Sequence, residues 1–132
     1  MSELGQQRHR ARERALEILY EATIKERPVA DIVAALPLAP DPYTIDIVTS
    51  SELHQTQAET LISEYSEQWS LERIAMVDRI IMIMAIGELL LDEPPPRAVV
   101  MDEAVEMAKV FSTDGSAAFV NGVLSACVEH LT

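Results

Sequence analysis

Residues 69–90 read WSLERIAMVDRIIMIMAIGELL and include the longest apolar run of the chain, residues 80–86. Around a helix, the centre of this segment is apolar on nearly every side, which is typical of a helix in the middle of a bundle. Ser70 is a favourable N-cap, so we predict one helix over about 71–91. The apolar run is seven residues long, whereas a membrane span needs about 20. The segment is therefore predicted to be a core helix and not a membrane anchor.

Amphipathic helices are predicted on the N-terminal side of this core helix. Apolar residues at three- and four-residue steps predict a first helix over about 8–25 and a short second helix that starts at the first proline of the chain. Asp41 and Pro42 end a proline-stiffened link and fit the start of a long third helix that extends to about Tyr65. The apolar stripe of this helix includes a serine and a histidine, so we expect it to pack imperfectly.

Two further helices are predicted after the core helix. Three prolines, residues 94–96, end the core helix, and a fifth helix follows to about Phe111. Ser116 is a favourable N-cap for a last helix that ends at about Leu131. That helix contains Gly122, an unusual residue for a helix interior, which could allow another helix to approach closely.

Composition favours an all-helical chain. The 132 residues are 48% hydrophobic, include only four glycines and show no strand pattern or repeat. This length fits one domain with its own core. We therefore predict an all-α fold in a single domain over 1–132, with an N-terminal helical part over 1–40 and a C-terminal helical part over 41–132.

Positive charge is concentrated at one end of an acidic chain. Four arginines fall within seven residues, at positions 8, 10, 12 and 14, although the formal net charge is −12. Residues 1–14 carry +2, because two glutamates accompany the arginines, so the remaining residues carry −14. A polyanion would be attracted only at the arginine-rich end.

The arginines point in different directions around the predicted helix. Arg10 and Arg14 lie on the solvent side, where the pairs Arg10–Glu13 and Arg14–Glu17 can form at three-residue spacing. These pairs would leave Arg8 and the remaining arginine of the cluster as the less compensated cations.

Arg12 lies beside the apolar stripe, with Tyr20 further along the same flank. Together they could hold a phosphate and stack a base, as proteins that bind single-stranded RNA do. Alternatively, Arg12 could extend over the core while Tyr20 packs against it. The spacing favours neither interpretation.

No arrangement typical of an enzyme is present. The three histidines are far apart in sequence, the acidic residues form no catalytic pair, and glycine loops that bind phosphate are absent. The single cysteine, Cys127, lies on an apolar stripe and is predicted to be a buried, unreactive thiol. Glu88 interrupts the most apolar segment, so it is either hydrogen-bonded inside the protein or placed at a partner surface. We predict a non-enzymatic, cytoplasmic protein without a metal or cofactor and without a signal peptide.

Five segments resemble the family of the bacterial transcription antitermination factor NusB, in that family's order. They are RHRARERALEILYEA at 8–22, DPYTIDIV at 41–48, WSLERIAMVDRIIMIMAIGELL at 69–90, VVMDEAVEMAKVFS at 99–112 and FVNGVLS at 119–125. The resemblance implies a compact bundle of about six to seven helices in two subbundles. It also implies a role in ribosomal RNA transcription, with binding of boxA-type single-stranded RNA together with the ribosomal protein NusE in the transcription elongation complex.

The resemblance assigns particular residues to these contacts. It implies an acidic region for the protein partner, which here includes Glu72 and Asp78. The RNA-binding residues that it implies are Arg8, His9, Arg10, Arg12, Tyr20, Phe119 and Asn121.

Four positions depart from the family pattern. Ile83 stands where the family has an arginine, Gly87 where it has an aromatic residue, Ala118 where it has a lysine and Ser125 where it has an aspartate. Two of these changes remove positive charge. The alternative hypothesis is therefore a divergent paralogue that acts as a protein-interaction module with weak or no RNA binding. Because the family includes monomers and dimers, a homodimer is left open.

Overall fold

The structure, a computed structural model, describes residues 2–67 and 69–131 and is all-helical across them. No helix in these ranges is long and apolar enough to span a membrane. Seven α-helices and one short 3₁₀ turn, Leu71–Arg73, make up the described fold. The helices are α1 (Glu3–Lys25), α2 (Val29–Ala34), α3 (Pro42–Leu53), α4 (Gln55–Tyr65), α5 (Met76–Leu89), α6 (Arg97–Phe111) and α7 (Ser116–Val128).

The predicted core helix is confirmed as the centre of the bundle. α5 packs against α1, α3, α4, α6 and α7. Every residue from Ile80 to Glu88 is buried, because neighbouring helices cover this segment on all sides. One hydrophobic cluster joins side chains from all seven helices. α3 packs against both α1 and α5, so the core continues across the proline-stiffened link.

The first helix is longer than its apolar pattern indicates. α1 begins at Glu3 rather than at Arg8, because the Ser2 hydroxyl accepts a 2.9 Å hydrogen bond from the amide of Gly5 and caps the helix. The added turn contributes no buried residue to the apolar stripe, because the buried residues of α1 begin at Ala11 and Leu4 is exposed. The arginine cluster therefore lies within a helix and has a fixed backbone.

The predicted third helix is divided in two at His54. The backbone of His54 has φ −104° and ψ 15°, outside the helical range. The carbonyl of Ser50 accepts from the His54 amide and also lies 2.9 Å from the ring Nδ1 of His54. Side-chain hydrogen bonds of this kind compete with the regular helix and bend it. The histidine of the stripe, His54, thus marks a bend between α3 and α4.

Two predicted N-caps are wrong. Ser70 does not cap a helix with its side chain: a 3₁₀ turn follows it, and α5 begins later, at Met76. α7 begins at Ser116, but its cap residue is Gly115, whose φ of 88° favours glycine. The Ser116 hydroxyl donates instead to a carboxylate, that of Asp78 in α5. A tertiary acceptor has replaced the local capping bond.

Candidate functional site

Arg12 and Glu88 form a buried ion pair at the arginine-rich end. Arg12 Nε donates to Glu88 Oε1 at 2.8 Å, and Nη2 donates to Oε2 at 2.7 Å. The two residues are 3% and 1% exposed. Burial would lower the pKa of the guanidinium, but the hydrogen bonds and charge of Glu88 outweigh it and the pKa is raised. Arg12 is a charged residue whose partners lie inside the protein.

The expectation that Arg12 is one of the less compensated arginines is therefore wrong. Besides Glu88, its Nη1 donates to Glu103 Oε1 at 3.1 Å. Glu88 lies 76 positions and Glu103 91 positions from Arg12 in sequence, so a helical wheel of the first helix cannot show them. Of the two interpretations of Glu88, internal hydrogen bonding is the correct one.

His9 lies at the surface end of the same network. Its Nδ1 is 2.8 Å from Glu103 Oε2, and its Nε2 is 3.7 Å from Glu13 Oε2. The His9 side chain is 31% exposed. Glu103 therefore links the buried Arg12 to a partly exposed histidine, a role that its sequence position did not indicate.

Tyr43 connects the buried pair to Arg8. The Tyr43 hydroxyl donates a 2.5 Å hydrogen bond to Glu88 Oε2. Burial and this bond raise the pKa of the hydroxyl, so it stays protonated as a donor. The guanidinium carbon of Arg8 lies 3.7 Å from the centroid of the Tyr43 ring, a cation–π contact. Sequence reasoning missed Tyr43, because no local pattern relates residues on different helices.

Arg8 and Arg10 are the uncommitted arginines of the cluster. The predicted Arg14–Glu17 pair is confirmed, with Nη1 to Oε2 at 2.8 Å. The predicted Arg10–Glu13 pair is wrong, because Glu13 faces the neighbouring histidine. Across residues 2–67 and 69–131, no ion pair joins Arg8 or Arg10 to a carboxylate.

These two arginines border separate clefts along the start of α1. Arg10 lines a cleft of about 620 Å³ together with Gln7 and Thr44. Arg8 lines another, of about 500 Å³, with Tyr43 and Val99. The first turns of α1 thus carry one free cation in each cleft.

Tyr20 is exposed but does not share a surface with Arg12. Its side chain is 42% exposed, two turns beyond Arg12 on α1. Because the Arg12 guanidinium faces Glu88 in the interior, the predicted phosphate-and-base site of Arg12 and Tyr20 is not formed. The aromatic partner of an arginine is instead Tyr43.

Phe119 and Asn121 lie on α7, where Asn121 is exposed. Phe119 lines two adjoining clefts, of about 260 and 440 Å³, and Trp69 lines both as well. Trp69 is 49% exposed and was missed by sequence reasoning. The clefts at Phe119 share no lining residue with those at Arg8 and Arg10. A Cβ on Gly122 would meet open space, so the expected close helix approach there is wrong.

The two acidic residues expected at a protein partner differ in exposure. Glu72 is exposed on the 3₁₀ turn. Asp78 is 5% exposed and accepts hydrogen bonds from Ser112 Oγ at 2.5 Å and Ser116 Oγ at 2.9 Å. The carboxylate of Asp78 holds the turn between α6 and α7, and its contact with a protein partner stays a prediction.

The thiol of Cys127 is fully buried, as predicted. Burial, together with the charge of Glu64, raises its pKa to about 11, so it is protonated at neutral pH. In the part of the chain that the structure describes, no group of three or more histidine, cysteine or acidic residues could hold a metal ion.

Comparison with known proteins decides the family. The model of the NusB family matches residues 9–129. The chain belongs to the NusB family. The transcription antitermination protein NusB of Thermobifida fusca is 39% identical over 126 residues, which cover 92% of this chain and 89% of that protein. The protein of the same name from Beutenbergia cavernae is 42% identical over 131 residues, covering 89% and 86% of the two chains.

Solved NusB structures share the fold. T. maritima NusB is 29% identical, with a TM-score of 0.82, and the match covers 93% of this chain and 91% of that one. A chain from the crystal structure of the antitermination factors NusB and NusE in complex with dsRNA is 21% identical. Its TM-score is 0.80, and the match covers 96% of this chain and 98% of that one.

The four positions at which the resemblance implies a departure have different structural settings. Ile83 is 7% exposed and lies in the core. Gly87 touches Ser51 so closely that a larger side chain would overlap the α3 backbone. Ala118 and Ser125 are exposed on α7. Only the two exposed positions could alter surface contacts directly.

Proposed function

We propose that this NusB-family chain is an RNA-binding transcription antitermination factor that acts by assembly and not by catalysis. It binds boxA-type single-stranded RNA together with the ribosomal protein NusE and so promotes ribosomal RNA transcription. The names of its relatives support the antitermination role. The structure of NusB and NusE with dsRNA supports the pairing of RNA with this partner.

The structural observation that carries the proposal is the pair of uncommitted arginines at the start of α1. In a chain of net charge −12, phosphate would be repelled over most of the surface. Arg8 and Arg10 offer guanidinium groups that form no ion pair with a carboxylate in the described ranges. The proposed RNA-contacting residues are accordingly Arg8, His9 and Arg10, with Tyr20, Phe119 and Asn121 as further exposed or half-buried candidates. Arg12 supports this surface from inside.

The protein partner is proposed to contact Glu72 rather than Asp78. Glu72 is exposed and makes no ion pair among the described residues, so its charge is available to a basic ribosomal protein. The Asp78 carboxylate is occupied by two serine hydroxyls. A basic partner would also reduce the repulsion between RNA and the acidic body.

The test is binding of a boxA-type RNA at two salt concentrations, with and without NusE. We expect the double variant Arg8→Ala/Arg10→Ala to bind more weakly than the wild type and with a smaller salt dependence. Each lost phosphate contact should reduce the slope of log K against log salt by about 0.7 for a single strand. The control is Arg27→Ala, which removes one positive charge from an exposed residue just beyond the other end of α1.

A second function, a protein-interaction module with weak RNA binding, is favoured by the acidity of the chain and by Ala118 at a position where the family has a lysine. It predicts that the double variant, Arg27→Ala and the wild type all bind RNA equally weakly. All of these proteins would then still bind NusE. Among the variants, only Glu72→Ala would weaken NusE binding. Equal, salt-insensitive RNA binding in all three proteins would therefore exclude the first function.

A further inference from the structure

We propose that Tyr43 is a positioning residue that holds Arg8 ready for phosphate, with Glu88 fixing the Tyr43 ring from inside the core. The inference rests on the proposed function and deepens it, because it explains how one of its two free arginines is oriented. It assigns to Tyr43 no contact with RNA.

The backbone of Tyr43 is fixed by its place in the first turn of α3. Asp41 is the cap residue, and its carboxylate accepts a 2.7 Å hydrogen bond from the Tyr43 amide. Pro42 precedes Tyr43 at the first helical position and restricts the backbone further. The side chain therefore leaves α3 from a rigid base.

The far end of the ring is fixed as well. Its hydroxyl donates to Glu88 Oε2, and the same oxygen accepts from Arg12 Nη2 at 2.7 Å. Arg12 Nε binds the other Glu88 oxygen, so the carboxylate cannot turn without losing several hydrogen bonds in a buried site. Tyr43 is held at both ends before any ligand arrives.

Arg8 lies over the face of this ring. The guanidinium carbon lies 3.7 Å from the ring centroid, and no ion pair with a carboxylate engages the Arg8 N–H donors among the described residues, so these donors can bind a phosphate. Arg14 differs, because one of its nitrogens is already bonded to Glu17. Stacking on Tyr43 thus restricts the Arg8 side chain without using a donor, which lowers the entropy cost of gripping a phosphate.

Carboxylates in the same cleft make the orientation of the Arg8 side chain important for phosphate binding. Glu93 and Glu103 line the same cleft, so a phosphate is favoured only close to the guanidinium. An Arg8 side chain that moved freely would spend part of its time beside these carboxylates. Tyr43 keeps it on the ring.

The experiment is a double-mutant cycle read out by RNA binding, with Tyr43→Leu to remove the ring and Arg8→Ala to remove the cation. Tyr43→Leu should weaken binding of a boxA-type RNA by about 2- to 5-fold in the wild type, the range expected for an exposed cation–π contact. In the Arg8→Ala background it should have no further effect. Tyr43→Phe, which keeps the ring, should lose less than Tyr43→Leu.

Equal losses in both backgrounds would overturn the inference, because Tyr43 would then act on the fold or on the RNA directly. A second measurement needs no RNA: ¹⁵N relaxation of the arginine Nε–H groups in the free protein. Arg8 should be more ordered than the exposed Arg10, which forms no ion pair among the described residues, and Tyr43→Leu should remove the difference. Equal mobility of Arg8 and Arg10 in the wild type would refute the positioning role even if RNA binds. An ordered Arg8 in a protein that does not bind RNA would instead refute the proposed function alone.

Discussion

Gly87 of α5 lies directly against the backbone of Ser51 in α3. A Cβ built on Gly87 would lie 2.8 Å from the Cα of Ser51 and 2.9 Å from its nitrogen, closer than such atoms approach. Beside this contact, the Ser50 hydroxyl donates a 2.6 Å hydrogen bond to the Gly87 carbonyl. The absence of a side chain at 87 allows the two helices to approach so closely.

We expect Gly87→Ala to destabilise the protein by about 1–3 kcal/mol, because the added methyl group must push α3 away. The matched control is Gly122→Ala, in a helix whose surroundings are open at that position. The control should stabilise the protein by about 0.5–1 kcal/mol through helix propensity. Urea unfolding followed by circular dichroism measures both, and a neutral Gly87→Ala would show that α3 and α5 can separate without cost.

Glu88→Gln should cost about 3–5 kcal/mol of stability, because it removes the charge that faces a buried guanidinium. Replacing both partners, with Arg12→Met and Glu88→Leu together, should cost less than the sum of the single changes. The free energies of unfolding of Arg12→Met, Glu88→Leu, the double variant and the wild type give this coupling. Additive losses would mean that the ion pair has no net interaction energy.

A comparison of Asp78→Ala with Glu72→Ala should distinguish a carboxylate that stabilises the fold from one that is exposed at the surface. Loss of Asp78 leaves two serine hydroxyls without their acceptor and should cost about 1–3 kcal/mol. Glu72→Ala should change stability by less than about 0.5 kcal/mol while weakening NusE binding. Thermal unfolding and a NusE binding titration test the pair, and the reverse pattern would restore Asp78 to the partner surface.

The raised pKa of Cys127 predicts that the stability of the protein changes with pH in the alkaline range. Its folded-state pKa of about 11 lies above the ordinary value of 9.0, so between these pH values the folded state holds a proton that the unfolded state has lost. The contribution of this thiol to the free energy of unfolding is fully present below pH 9 and decreases as the pH rises to about 11. The free energy of unfolding should therefore decrease more steeply for the wild type than for Cys127→Ala. Parallel curves for the two proteins would contradict the raised pKa.

The same thiol should resist alkylation in the native state. Only the thiolate is nucleophilic, and Cys127 is both buried and protonated at neutral pH. Iodoacetamide at pH 8 should leave the folded protein unmodified and label it in urea, as mass spectrometry would show. Rapid labelling without denaturant would reveal local opening of α7.

The bends and caps that the apolar pattern did not predict have a common cause. Ser116 was expected to cap α7 but donates to Asp78, and the predicted third helix is divided at His54, where a side chain competes for the Ser50 carbonyl. In both places a polar side chain has found a partner other than the one expected of an unbroken, locally capped helix. Helix existence was predictable at these positions, whereas helix ends were not.

The sequence by itself was enough for the helical class, the central position of residues 80–86, the Arg14–Glu17 pair and the family. These features are local or depend on order along the chain, because helical periodicity and short-range pairing need no knowledge of other helices. Only the tertiary structure decided which arginines are available. Arg12 is neutralised by Glu88, 76 positions away, and Arg8 is placed by Tyr43 of a different helix. Folding brings these charges within 3 Å or 4 Å of their partners, where electrostatic interactions become strong enough to assign each side chain its role.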